Sequence, residues 1–312
     1  MNSLKLTLTV ISFICINPFS FSQVTDGPQT IGYKEVQLTK DKFDNRYSSY
    51  NKSGDRIVFE SNRDGHWQIY TMDIDGNDQK RIINSSSTDR RPSWHPTKPI
   101  ILFESNRTGT YELYTLDLTT DEITKVPMDV KGNKHFAQFA PNGSQIVFSL
   151  KESSKDSDIF ITYFKRQKTK KYIDNKFTNL YAHYSPKGDN IAFFSNKNVQ
   201  GETDIIYVFN IITKSRSRLS YFVDQSSHPV WSNKRGEIVY VASIKGDDNE
   251  IYIMKIDGTH KHQITFNNTE DTLPNWSPND ENLLITRYKN GNYHLYKILL
   301  KEPLLPAEGS KD

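Results

Sequence analysis

Six aromatic residues, Tyr50, Trp94, Phe139, Tyr184, Trp231 and Trp276, mark a unit that recurs at intervals of 44, 45, 45, 47 and 45 residues. Nine positions after each comes the last apolar residue of a short β-type run: Phe59, Phe103, Phe148, Phe193, Tyr240 and Ile285. A fixed period with a fixed internal offset constrains the fold more than composition can. Each unit is one supersecondary motif that must bury its apolar face against the next.

Each copy carries the same punctuation. A turn separates anchor from run, as in Ser53-Gly54-Asp55, Pro141-Asn142-Gly143 and Pro278-Asn279-Asp280. Pro presets φ for the first turn position, while Gly and Asn tolerate φ > 0 at a later one. An apolar pair follows the run in every copy: Ile69-Tyr70, Leu113-Tyr114, Ile159-Phe160, Ile205-Ile206, Ile251-Tyr252 and Leu295-Tyr296. Hairpin turns such as Asp75-Gly76 and Asp257-Gly258 then lead to a fourth short strand, for example Gln79–Ile83 or His262–Thr265. No segment holds a 3.6-residue apolar period long enough to predict a helix. Four strands per unit, six times over, predict an all-β, six-bladed β-propeller of four-stranded blades. The sixth copy stops after its third strand, Tyr293–Leu299, whereas Lys34–Thr39 resembles the fourth strand of the fifth copy. The N-terminal strand is therefore expected to complete the last blade and close the ring, removing open edges.

Composition narrows the function classes. The chain has 312 residues, 25% charged and 12% aromatic, with a formal net charge of +3. That balance, with no basic run interleaved with aromatics, predicts no nucleic-acid partner. Residues 1–22 read as a secretory signal: Lys5, an apolar run from Leu6 to Ile16, then Ser20-Phe21-Ser22 before the cleavage point. The run is too short to span a bilayer. The only cysteine, Cys15, falls inside it, so the mature chain would have no disulfide or thiol chemistry. The expected organisation is a signal peptide over 1–22, one propeller over 23–300 and a flexible tail over 301–312. The expected product is an exported monomer, periplasmic or secreted, with no transmembrane segment.

Pro229-Val230-Trp231-Ser232, Glu237–Tyr240, Glu250-Ile251-Tyr252 and Asp257-Gly258 set out one unit in full. Pro92–Pro96 and Pro274–Pro278 repeat its opening, and Phe59-Glu60-Ser61-Asn62-Arg63 is matched by Phe103–Arg107. On these residues the chain resembles the TolB-type propeller repeat over roughly residues 34–300. No Gly-His…Trp-Asp pair recurs, so it does not resemble the WD repeat. The resemblance implies the fold, here as a stand-alone propeller without the α/β domain of TolB or the hydrolase domain of the prolyl oligopeptidase-like peptidases. A shared propeller does not carry over a partner or an activity.

Motifs that carry chemistry are scarce. There is no Gly-x-Ser-x-Gly elbow, no His-Glu-x-x-His and no phosphate-cradling loop. Asp73–Asp78 has its Gly in the wrong place for a calcium loop and reads as a hairpin turn. The aromatic anchors read as inter-blade packing, and the Ser-Asn-Arg triplets as loop-shaping residues. Function is expected where the repeat varies, on the innermost strands. The position five before the anchor holds Asn45, Asp89, Lys134, Asn179, Ser226 and Asp271. The next holds Arg46, Arg90, His135, Leu180, Ser227 and Thr272, and the third Tyr47, Arg91, Phe136, Tyr181, His228 and Leu273. Symmetry would gather Arg46, Arg90, Arg91, His135, Tyr181 and His228 at one channel mouth, with Asp89 and Asp271 on its rim.

Three guanidiniums suit a carboxylate, and His135 and His228 would titrate near neutrality or bind a metal. One expectation is a non-catalytic propeller, without cofactor, that binds a protein or peptide of the cell envelope at this face. The alternative is a channel lyase or hydrolase acting on acidic oligosaccharides. The family resemblance implies that reading, because some TolB-like propellers are polyuronate lyases with channel histidines and a divalent metal. His135 and His228 would then be catalytic, and His183 falls in the blade between them. A purely structural module in a larger assembly is the third expectation.

Overall fold

The computed structural model describes residues 32–151, 156–175, 177–196, 204–220, 224–244 and 248–304. They form six four-stranded antiparallel sheets arranged as the blades of a propeller. The innermost strands are Asn45–Tyr50, Asp89–Trp94, Asn133–Phe139, Asn179–Tyr184, Asp224–Trp231 and Asp271–Trp276. Each ends on one of the aromatic anchors. Among the described residues no helix is long and apolar enough to cross a membrane. The expected signal segment over 1–22 lies outside the described residues.

Two positions of the repeat build the core. The apolar residue nine after each anchor is buried in all six blades, at 3% exposure or less. In five blades it is itself aromatic and faces an aromatic partner on the third strand: Phe59–Tyr70, Phe103–Tyr114, Phe148–Phe160, Phe193–Tyr207 and Tyr240–Tyr252, with ring centroids 5.7 to 5.9 Å apart. Such cross-strand pairs are the unit of sheet stabilisation. In the fourth blade the pairing corrects the reading by one residue. Phe193 opposes Tyr207, so the repeated pair there is Ile206-Tyr207.

The anchors tie blades together. The Trp94 indole N–H donates to the Ser49 carbonyl at 3.2 Å, Trp231 to His183 at 3.1 Å and Trp276 to Val230 at 3.2 Å. Each bond runs from one blade to the main chain of the blade before it. The large aromatic at this position therefore fills the wedge between sheets and satisfies its own donor there.

The first strand, Gly32–Gln37, pairs antiparallel with the last, Asn292–Leu304, so the chain's two ends complete one blade as expected. Gly32 opposes Leu304, which extends that last strand beyond the expected boundary at residue 300. Residues 305–312 lie outside the described residues. Charge and backbone both secure the junction. Glu35 binds Arg287 in a two-pronged pair, with Arg287 Nη2 donating to Oε1 at 3.0 Å, and the Leu38 amide donates to the Leu295 carbonyl at 2.8 Å. Lys297 Nζ reaches Asp75 at 3.0 Å and the Ile74 carbonyl at 2.7 Å, fixing the Asp75-Gly76 hairpin against the closure. A Cβ on Gly76 would stand 2.4 Å from the Leu38 carbonyl oxygen, and its φ is +87°. Only glycine meets both conditions.

Candidate functional site

All six innermost strands carry the same irregularity. Arg46 opposes Glu60 and Ser49 opposes Val58, so three steps along the inner strand match two along its partner. The same slip follows Arg90, His135, Leu180, Ser227 and Thr272. One extra residue per strand makes a β-bulge, which re-aims the side chain at its crest. That residue is left-handed in every blade: Tyr47, Arg91, Phe136, Tyr181, His228 and Leu273 have φ between 48° and 57°. None is glycine, and a non-glycine residue held there costs about 1 kcal/mol or more.

These six form a belt across the channel. Tyr47 and Phe136 sit with ring centroids 6.3 Å apart, Phe136 and Tyr181 at 5.6 Å, and Tyr181 and His228 at 4.6 Å. The Arg91 guanidinium lies over Phe136 at 4.3 Å and over Tyr47 at 5.3 Å. Tyr47 belongs to the first blade and Phe136 to the third, so the belt reaches across the axis rather than around it.

Two buried carboxylates support the belt. Glu60 Oε2 accepts the Arg91 amide at 2.7 Å, and Glu104 Oε1 accepts the Phe136 amide at 2.6 Å. Each passes from one blade to the left-handed residue of the next. Glu104 Oε2 also takes Arg91 Nη1 at 2.6 Å and stands 2.8 Å from His135 Nδ1. Burial alone would raise the Glu104 pKa. The Arg91 charge and the His135 and Phe136 hydrogen bonds outweigh it and hold that carboxyl below its usual range. For Glu60 burial prevails over Arg90 and Arg91, and the pKa is raised. Arg90 Nη2 is 3.5 Å away, too far for full compensation.

On the loop side of the belt, cations and aromatic rings alternate. Arg46 lies 4.0 Å over Tyr293 and 4.9 Å over Trp67, whose ring is also 5.0 Å from Arg90. His135 packs on Tyr111 at 5.3 Å. Trp67, Tyr111 and Tyr293 each sit eight residues after the core position of their own blade. The amides of Asp89 and Lys134 donate to the Trp67 and Tyr111 carbonyls at 2.9 and 3.0 Å, so the loops bearing these two rings are docked on the next blade. Asp44 pairs with Arg46 at 3.2 Å. Arg46, Arg90 and Arg91 nevertheless each keep a buried Nε–H with no acceptor. Donors left this way are costly.

The architecture has known counterparts. Residues 34–137 and 199–303 match the TolB beta propeller domain, PD40, about two thirds of the sequence. The chain belongs to the TolB β-propeller family. The Tol-Pal system protein TolB of Ruthia magnifica is 36% identical over 78 residues, 25% of this chain and 18% of that protein. The chain spans less than a fifth of the length of the curated relatives it matches. TolB from Acinetobacter baumannii superposes with a TM-score of 0.62 at 18% identity, covering 83% of this chain and 64% of that one. An oligogalacturonate lyase in complex with manganese superposes with a TM-score of 0.63 at 13% identity, covering 87% and 94%. At such identities the superpositions establish fold alone.

Within this TolB-family ring, the anticipated site residues fall into three groups. Arg46 and Arg90 share the loop-side mouth, and Arg91 and His135 meet through Glu104. Tyr181 and His228 belong to the belt. Asp89 and Asp271 do not stand on the rim, because both are fully buried inside their blades. Arg107 Nη2 donates to Asp89 at 3.0 Å, and Arg287 Nη2 to Asp271 at 2.7 Å. Asn45, in the same position, takes Arg63 Nη2 at 2.9 Å. The Ser-Asn-Arg triplets are thus internal fasteners. Asn62 and Asn106 Oδ1 accept the amides of Asp44 and Thr88 at 2.9 and 3.0 Å, eighteen residues upstream rather than within their own turn.

His228 also departs from expectation. Burial, followed by the Arg91 charge, lowers the His228 pKa to about 4, so His228 is neutral at neutral pH. Its Nδ1 lies 2.8 Å from Ser227 Oγ. His183 is lowered by burial, also to about 4. It lines the opposite, turn-side chamber, near the anchors. Among the described residues no contact joins His135 to His228, and no three of His, Cys, Asp and Glu gather where they could hold a metal ion. A channel enzyme working through this pair draws no support from this geometry.

Sequence reasoning missed Glu60, Glu104, Trp67, Tyr111 and Tyr293. The recurrence at eight residues after the core position was the available signal for the three aromatics. The two glutamates recur in the matched Phe-Glu-Ser-Asn-Arg runs, but their partners lie on the following blade and no local signal names them.

Proposed function

We propose that this chain is a non-catalytic binding module that seats an acidic, carboxylate-bearing segment of a partner protein at the loop-side mouth. One observation carries the reading: Arg46 and Arg90 share the mouth with their flat faces over Trp67 and Tyr293, and their side chains keep 26% and 21% exposure there. Stacking fixes the guanidinium planes, so an incoming carboxylate meets oriented donors and costs little ordering entropy. The signal-like residues 1–22 and the family resemblance favour a partner of the cell envelope, reached in the periplasm or outside the cell.

The test is calorimetric titration with acidic peptides bearing a free C-terminus. Arg46→Ala with Arg90→Ala should weaken binding by roughly tenfold or more, as expected for lost hydrogen bonds to a charged group, and should steepen neither the salt dependence nor the melt. Equal affinity in the double variant sinks the proposal.

A further inference from the structure

The belt divides the channel, and its other side holds a separate chamber. A cavity of about 460 Å³ opens there, walled by the inner strands of all six blades. Its floor is the belt: the rings of Tyr47, Phe136 and Tyr181 close the axis, with Arg91 between them. The size is ordinary for a small-molecule site.

One step above the floor lies the residue that precedes each anchor. Five of the six line the cavity: Ser49, Ser93, Gln138, His183 and Asn275. Ser93 Oγ is spent on the Ala137 carbonyl at 3.1 Å. The Gln138 and Asn275 carboxamides make no protein hydrogen bond among the described residues, whereas the unpartnered Ser49 Oγ is itself shut off from the cavity. His183 Nδ1 stands 3.5 Å from the Trp231 amide. No side chain in this collar is charged, and the one cation of the floor, Arg91, already has Glu104. The lysines, Lys52 and Lys234, stand exposed at the lip.

An aromatic floor below a ring of neutral donors and acceptors matches a compact molecule with an apolar face and hydroxyls around its edge. We infer that this chamber binds one uncharged sugar residue, its C–H face on the Tyr47–Phe136–Tyr181 floor and its hydroxyls on Gln138, His183 and Asn275. Burial keeps the His183 imidazole neutral, in keeping with a neutral ligand. This site lies across the belt from the mouth proposed above and does not depend on it.

Saturation-transfer NMR and calorimetry on the purified protein test it, with glucose, galactose, N-acetylglucosamine and cellobiose as probes and glucuronate as the charged control. At least one neutral sugar should saturate. Gln138→Leu or Asn275→Leu should each weaken that binding about tenfold, the loss of a well-made hydrogen bond. Arg90→Ala, on the far side, should leave it unchanged. Where a leucine variant melts early, Gln138→Glu keeps the shape and should weaken binding alike. Three results overturn the inference: no neutral sugar saturating, affinity indifferent to the collar variants, or glucuronate binding as tightly as glucose.

Discussion

Glu104 reaches from the second blade to accept the Phe136 amide of the third at 2.6 Å, while its other oxygen holds Arg91 at 2.6 Å. One side chain therefore sets both the backbone and the charge of the belt at that point. Glu104→Ala leaves Arg91 without its counter-charge and orphans a buried amide. Breaking a buried pair costs about 3–5 kcal/mol, so urea denaturation of this variant should show a loss of that order. Glu60→Ala orphans the Arg91 amide and relieves only a long contact to Arg90, and should lose less, about 1–3 kcal/mol.

The two glutamates should respond oppositely to pH. Glu104 is depressed in the folded state, so its contribution is present above the unfolded carboxylate range and fades as pH falls through its lowered pKa. The penalty of Glu104→Gln should therefore be full at neutral pH and shrink in acid. Glu60 is raised, so the folded protein loses stability as pH climbs from the unfolded value towards the raised one. Glu60→Gln should match the parent in acid and gain on it towards neutrality. Melting curves from pH 3 to 7 read both; parallel profiles would refute the assignment.

Glu250 is raised as well. Burial lifts its pKa to about 7, over the hydrogen bonds from Thr265 and Asn267. Between its unfolded value and pH 7 the parent should lose stability that Glu250→Gln retains, up to about 3 kcal/mol at 1.36 kcal/mol per pKa unit. A flat difference over that window in thermal unfolding would show that the carboxyl is ionised throughout.

Trp276→Phe tests the anchors. It keeps most of the buried ring and deletes the bond to the Val230 carbonyl at 3.2 Å. An unpaired buried acceptor costs about 1–3 kcal/mol, and the melting temperature should fall accordingly without loss of the fold by circular dichroism.

Gly76→Ala presses on the closure from outside. With φ at +87° and the Leu38 carbonyl 2.4 Å from the new Cβ, the closing segment must shift. Amide exchange at Leu38 should accelerate more than at Phe59 in the core. Uniform acceleration would mean global destabilisation instead.

The blades were legible because burial repeats with the period: the aromatic anchors, the core position nine later and the displaced first strand all follow from side-chain size and spacing. The belt was not. A β-bulge is visible in sequence when glycine marks its left-handed residue, but here Tyr, Arg, Phe, Tyr, His and Leu occupy it. Without that cue, three successive positions look equally able to face the channel. Asp89 and Asp271 were accordingly expected on the rim, whereas the strand turns them inward onto Arg107 and Arg287. Glu60 and Glu104 stayed hidden for a different reason, since their role depends on a neighbour in the next blade.

Glu35 and Arg287 lie 252 residues apart, and their pairing belongs to the strand exchange that shuts the ring. A chain emerging from its N-terminus must hold the first strand unpaired until nearly all the rest has been made. Five blades can condense from local hairpins as they appear, but the sixth waits for the longest loop in the molecule to close. The entropy of that closure grows only logarithmically with length, so the delay falls on folding time far more than on final stability. Shortening the chain ahead of Asn292 would leave the first strand with no partner and the ring open, however well the earlier blades had formed.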